Sequence, residues 1–194
     1  MKPDSISFQL PVWINDFFKE GKLYPTVYDR MDMVITASWN NVKEKTGGPF
    51  AAAVFEIDSG KIISLGVNLV TTGMLSILHA EIVAIAMAQK KLGSYDLGGE
   101  GMAGHELVAS TEPCAMCLGA IPWSGVERVI TGAKDEDAGE IGFDEGPKVS
   151  DWPGALNSRG IEVIQNVKRM EAKAVLDEYI KQGGEIYNSR GAKG

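Results

Sequence analysis

Short apolar runs alternate along this chain with segments of helical periodicity, and that alternation restricts the possible folds more than any other feature. Phe50 to Ile57 is apolar enough for a buried strand. Asp58-Ser59-Gly60 supplies turn chemistry, so Lys61 to Val70 reads as the returning strand of a hairpin. Further strands are expected at Glu106 to Ser110, Val126 to Ala133 and Gly160 to Val167. Helices are expected at Tyr28 to Lys45, before Gly47-Gly48-Pro49, and at Leu78 to Leu92, stopped by Gly93. Two more are expected at Cys114 to Ile121 and at Arg169 to Lys181, ahead of Gly183-Gly184. Strands separated by helices favour parallel pairing. The residues therefore point to an α/β domain with a largely parallel sheet opened by one antiparallel hairpin.

Two segments stand outside this alternation. Residues 1–27 read as an N-terminal adapter, in which Val12, Trp13, Ile14, Phe17 and Phe18 form a short apolar stretch closed by Gly21. Lys134 to Arg159 runs for about 26 residues without periodicity, with seven acids against three bases. It also carries Phe143, Trp152 and Pro153, so a loop folded over a site is expected there.

Composition removes several functions. With 194 residues, 44% of them hydrophobic, the chain can bury a sizeable core, and two cysteines cannot make a disulfide scaffold. No apolar run approaches the ~18 residues of a membrane span. Met1-Lys2-Pro3-Asp4 has no apolar region of a secretory signal behind it, so a cytoplasmic protein is expected. The 19 Lys and Arg are outnumbered by 26 Asp and Glu, a formal charge of -7. Polynucleotide binding draws most of its affinity from a basic surface. A small uncharged substrate suits this balance better, and no nucleic-acid partner is expected.

Chemistry concentrates in two short motifs. Cys114 and Cys117, the only cysteines, lie at a strand-to-helix junction in Pro113-Cys114-Ala115-Met116-Cys117. Pro113 suits the first helical turn, and positions i and i+3 share a face, so both sulfurs can meet one ion. Alone, this pair fits a redox couple, a structural metal site or chance. His79-Ala80-Glu81, 35 residues earlier at a helix start, changes the balance. Together they make H-x-E…P-C-x-x-C, the pattern of zinc deaminases. His79, Cys114 and Cys117 would give Zn²⁺ three protein ligands and an open position, the arrangement that activates water at neutral pH. Glu81 is then no ligand. It takes the proton of the attacking water, passes it to a ring nitrogen and later helps protonate the departing amine. His105 has no partner motif and reads as structural.

At these residues the chain resembles the cytidine deaminase superfamily. The likeness extends to Pro49-Phe50-Ala51-Ala52-Ala53-Val54, Gly66-Val67-Asn68, His79 to Ile85 and Thr111 to Ile121, and covers roughly Tyr28 to Glu145. It implies a three-layer α/β/α cytidine-deaminase-like fold with a five-stranded mixed sheet, a deaminase domain over residues 28–182, bound zinc and a homodimer. Trp123, just after Gly119-Ala120-Ile121-Pro122, and Asp137 to Glu145 are similar to the bacterial guanine deaminase branch. In that branch a carboxylate at the end of the Gly-Phe-Asp block is a second proton carrier. Glu145 stands at that position, where the branch often has Asp, so Asp144 stays a second candidate. The resemblance also suggests Asn68 for a base edge, the Ala80 N–H and Ser110 C=O as backbone contacts, and residues 183–194, with Tyr187, Asn188 and Arg190, as a lid.

Plainer roles compete for several of these residues. Asp144 and Glu145 also fit a solvated acidic loop, and Asn68 a turn at a strand end. Phe50 and Trp123 could stack on a purine or fill core. The leading expectation is hydrolysis of guanine to xanthine and ammonia. Rival readings are a tRNA adenosine deaminase, a deaminase of cytosine, a nucleoside or a triazine, an inactive metal-bearing binding module, and a redox protein.

Overall fold

The computed structural model describes residues 6–19 and 22–188. Gly21, expected to close the N-terminal stretch, and Arg190 of the expected lid lie outside the described residues.

A 3₁₀ helix, Val12–Phe17, precedes α1, Val27–Lys43. The start of α1 is fixed by a capping box: the Thr26 hydroxyl accepts from the Asp29 N–H while the Asp29 carboxylate accepts from the Thr26 N–H. Strand β1, Ala51–Glu56, and β2, Ile62–Val67, form the expected hairpin. After α2, Val70–Gly73, come α3, Ala80–Leu92, and β3, His105–Thr111. They are followed by α4, Ala115–Ser124, and β4, Arg128–Ala133. Two short helices, α5, Asp135–Glu140, and α6, Trp152–Asn157, lead to β5, Glu162–Ile164, and α7, Arg169–Lys181.

The five strands lie in the order β2-β1-β3-β4-β5. β1 runs antiparallel to both β2 and β3, whereas β3, β4 and β5 are mutually parallel. The sheet is mixed, and the largely parallel sheet expected from alternation alone is corrected. After the hairpin the crossover through α3 brings β3 beside β1 rather than β2, running in the direction of β2 and so against β1, a pairing that local periodicity does not encode.

Both sheet faces are covered. On one face Ala51, Ala53, Phe55, Val108 and Ile130 pack against α1 and α7; on the other Ala52, Val54, Leu107, Ala109 and Val129 meet α3, α4 and α6. Adjacent residues alternate between the two cores, as the pleat requires. This makes the three layers α/β/α. Gly66 brings α3 close to β2, since a Cβ there would lie 2.3 Å from the Ala80 carbonyl oxygen.

Three expectations shift. The fifth strand spans only Glu162–Ile164 rather than 160–167: Asn166 takes a left-handed backbone, φ 64°, that interrupts the ladder, although the Val167 N–H still donates to the Thr131 carbonyl oxygen at 3.0 Å. The segment Lys134 to Arg159 contains α5 and α6, held by end contacts and burial of Trp152 and Leu156 rather than by a long apolar stripe. Pro113 lies outside α4, before its N-cap Cys114, and not in the first turn. The N-terminal stretch buries Ile14 and Phe17 in the core beneath α1.

Candidate active site

The site forms where β1 begins, where β2 and β3 end, and where α3 and α4 begin. His79 is the N-cap residue of α3 and Cys114 that of α4, and neither side chain makes a capping bond. Both are therefore free to meet each other. His79 Nδ1 lies 3.4 Å from Cys114 Sγ, and the ligand atoms of His79, Cys114 and Cys117 all lie within 4.8 Å of one another. Cys117, one turn into α4, is fully buried.

A nitrogen and two sulfurs at this spacing suit Zn²⁺. The electrostatics fit a cation as well. A hydrogen bond from the Cys117 thiol, with a further one from His79, holds Cys114 down to about 4, whereas that shared proton and burial push the Cys117 thiol far up. The two sulfurs thus compete for one negative charge, and a dication between them removes the conflict. Burial lowers the His79 imidazole, but its bond to Cys114 and the charge of Glu81 outweigh that effect and raise it.

A cavity of about 390 Å³ opens beside these ligands. Glu81 lines it from the first turn of α3 and is 8% exposed. Burial is the main reason its carboxyl is pushed up to about 7, with the Cys114 thiolate adding to it. Glu145 lines the cavity from the loop after α5. Its carboxyl is pushed up to about 8, again first by burial and then by Cys114 and Asp135. Asp144 also reaches the cavity, but its Oδ1 accepts the Gly146 N–H at 2.8 Å and its residue is exposed. Asp144 closes a turn, and Glu145 is the desolvated acid of the two.

Asn68 and Ser110 line the cavity too. Asn68 is 1% exposed, and its Oδ1 accepts the Val70 N–H at 3.2 Å. Its carbonyl oxygen accepts from Asn41 Nδ2 at 2.9 Å, and the same Asn41 amide donates to the Gly48 carbonyl at 2.8 Å. The backbone approach is close enough to demand Gly47, where a Cβ would fall 1.8 Å from the Asn68 oxygen. The Ser110 hydroxyl accepts the Ala51 N–H at 3.1 Å, tying β3 to β1 at the cavity edge.

Phe50 lines the cavity while packing edge-on against Phe143, their ring centroids 5.0 Å apart. Tyr187 and Asn188 of the tail line it as well. The Tyr187 hydroxyl is buried without a hydrogen-bond partner, and its ring packs on Phe143 at 5.0 Å. Asn188 Oδ1 accepts the Asp144 N–H at 2.9 Å and its Nδ2 donates to the Gly142 carbonyl at 2.7 Å.

Two expected contacts do not gather here. Trp123 neither lines the cavity nor fills core; it is 83% exposed. Helix α4 buries Cys117, Ile121 and Ser124, and Trp123, two residues past Ile121, is turned to another face. Ala80 is buried in the core between α3 and the sheet and does not line the cavity. His105 is structural, its Nδ1 2.7 Å from the Leu97 carbonyl oxygen. Sequence reasoning missed Asn41, Glu112, Asp135 and Lys148. Asn41, Asp135 and Lys148 belong to no spaced motif, and Glu112, although inside the Thr111 to Ile121 block, is no part of the ligand pattern itself.

Comparison with known proteins agrees with this geometry. Residues 27–133 match the model of the cytidine and deoxycytidylate deaminase zinc-binding region. A guanine deaminase of Bacillus subtilis (strain 168) is 41% identical over 111 residues, covering 57% of this chain and 67% of that protein. The solved structure of NE0047 in complex with 2,6-diaminopurine is 43% identical, covers 96% of this chain and 98% of its own, and has a TM-score of 0.89. A guanine deaminase structure from Nitrosomonas europaea is 42% identical, covers 90% and 96%, and has a TM-score of 0.87. The chain belongs to the cytidine and deoxycytidylate deaminase family.

Proposed function

We propose that this chain is a guanine deaminase, converting guanine and water to xanthine and ammonia. The observation that carries the reading is a base-sized cavity in which a His79, Cys114 and Cys117 cluster meets two desolvated carboxyls, Glu81 and Glu145. Likeness to guanine deaminases over most of the chain supports the substrate.

His79, Cys114 and Cys117 would hold zinc, which when bound supplies activation of the attacking water. Glu81 accepts the proton of the water that adds to C2 of guanine and returns it to a ring nitrogen. Glu145 delivers a proton to the departing 2-amino nitrogen, the C–N bond breaks so that ammonia leaves as a neutral molecule, and the proton of the new C2 hydroxyl passes back to the carboxylates as the xanthine carbonyl forms. Raised carboxyls suit this work, since acid–base efficiency is greatest when the pKa lies near the working pH. The Asn68 amide, with one donor and one acceptor group, reads a base edge, and the Ser110 carbonyl adds an acceptor. Phe50, Phe143 and Tyr187 enclose the ring and exclude water.

The placement of Tyr187 and Asn188 at the cavity obstructs a base still attached to a polynucleotide, which supports a free nucleobase. Exposed Trp123 and Met116 give α4 an apolar face that a second copy of the chain would cover in a homodimer. No helix among the described residues is long and apolar enough to cross a membrane, and we place the enzyme in the cytoplasm.

The test is ammonia release by zinc-loaded protein from guanine, cytosine, cytidine, adenine and adenosine in parallel. Turnover of guanine is expected, and Glu81→Gln should keep its zinc while losing about 10²- to 10⁴-fold in kcat. Silence on guanine together with turnover of a pyrimidine or nucleoside would overturn the substrate assignment. Full activity in Glu81→Gln would remove Glu81 from proton transfer.

A further inference from the structure

We propose that Lys148 is a positioning residue for Glu145, clamping the loop that carries this acid onto the turn that carries Cys114. The inference rests on the reading of Glu145 as the second acid. Glu145 and Lys148 are attached to residues on the two sides of Cys114. The Glu145 carbonyl oxygen accepts the Ala115 N–H at 2.9 Å. Three residues on, Lys148 Nζ donates to the Pro113 carbonyl oxygen at 3.1 Å. Asn188 holds the loop before Glu145 through the Asp144 N–H and the Gly142 carbonyl, whereas Lys148 is the side chain that ties it down after Glu145; the two sides together fix the direction of the Glu145 carboxyl.

The environment of Lys148 is built for a cation and not for a neutral side chain. Its side chain is 7% exposed and pairs with Asp135, while Glu112 Oε2 lies 4.0 Å away. Its Nζ also stands 5.1 Å from the ring centre of Trp152, within cation–π range. Glu112 is itself held, accepting from Gln165 Nε2 at 2.7 Å and from the Asp135 N–H at 3.3 Å. Asp135 opens α5 and Trp152 opens α6, so the one ammonium joins both short helices to the turn before α4. A surface lysine would have no reason to sit among these groups, because stripping water from a charge is costly unless each partner is in place.

The experiment compares zinc-loaded wild type, Lys148→Met, Lys148→Met with Asp135→Asn, Glu145→Gln, and Glu145→Gln with Lys148→Met. For each, kcat and KM on guanine, zinc content and melting temperature are measured. A misplacement of about 1 Å can cost about 100-fold in rate. Lys148→Met is therefore expected to lose about tenfold to 100-fold in kcat, with KM changed less than about threefold. Adding Asp135→Asn removes the half-buried carboxylate left without its partner and should recover melting temperature without recovering kcat. In the Glu145→Gln background, Lys148→Met should cost less than about twofold more, because residues that act as one unit are not additive. Wild-type kcat in a folded Lys148 variant would overturn the proposal. So would the same fold-loss in both backgrounds, which marks a purely structural lysine. Full activity of Glu145→Gln alone would instead overturn the reading beneath it, and needs no Lys148 variant to be seen.

Discussion

Asp144 and Glu145 are neighbours in sequence and both acidic, yet their surroundings separate them. The Asp144 carboxylate closes a turn in water, whereas burial lifts Glu145 to about 8. Asp137 shows the opposite case. Its carboxylate is held below the ordinary range, first by hydrogen bonds from Arg169 and then, against burial, by the Lys134 N–H. A carboxyl whose pKa is depressed by folding adds stability above its unfolded pKa and loses it as pH falls through the folded value. Asp137→Ala should therefore cost about 1 to 2 kcal/mol at pH 7, the scale of a lost cap and ion-assisted bond. That difference should shrink as pH drops below about 4. Urea unfolding at both pH values measures it, and an equal loss in acid would show that the charge is not what matters.

At the scale of elements, the N-terminal stretch acquires a role through one chain of hydrogen bonds. Trp13 Nε1 of the 3₁₀ helix donates to the Thr46 hydroxyl at 3.3 Å, which donates to Asn41 Oδ1 at 2.6 Å. Asn41 in α1 then holds the backbone of Gly48 and Asn68 at the cavity wall. Asn41→Ala leaves two buried carbonyls without this donor, a loss of about 1 to 3 kcal/mol. Because Asn68 is expected to bind the base edge, KM for guanine should rise by more than kcat falls. Steady-state kinetics beside chemical denaturation tests this. A destabilised protein with unchanged KM would detach Asn41 from substrate binding.

For the whole molecule, the metal cluster joins the start of α3 to the start of α4, 35 residues apart in sequence. An ion bound only by the folded state stabilises it by mass action, about 4 kcal/mol at a thousandfold excess over Kd. For a domain of this size that is about 10 °C in Tm. Chelation should lower the melting temperature by this order, and added zinc should restore it. A melting temperature indifferent to zinc content would show that the cluster does not tie these helices together. Elsewhere the same long-range joining is done by charge: buried Glu106 of β3 pairs with Arg30 of α1 and with Arg128 of β4.

Much of this was legible without coordinates. The hairpin, α1, α3, β3, β4 and α7 follow from local periodicity and from glycine and proline stops, which act within one turn or one pleat. His79, Glu81, Cys114 and Cys117 follow from spacing, because zinc chemistry admits few arrangements of nitrogen and sulfur donors. The tertiary structure decided the rest. It set β1 against β3, turned Trp123 outward and kept Ala80 in the core. It also distinguished Glu145 from Asp144, brought Tyr187 to the cavity, and set Asn41 and Lys148 behind its wall on the backbone of Gly48, Asn68 and Pro113. The physical reason is common to all of these. Burial, strand direction and the pairing of a charge depend on residues distant in sequence, whereas a motif records only those nearby.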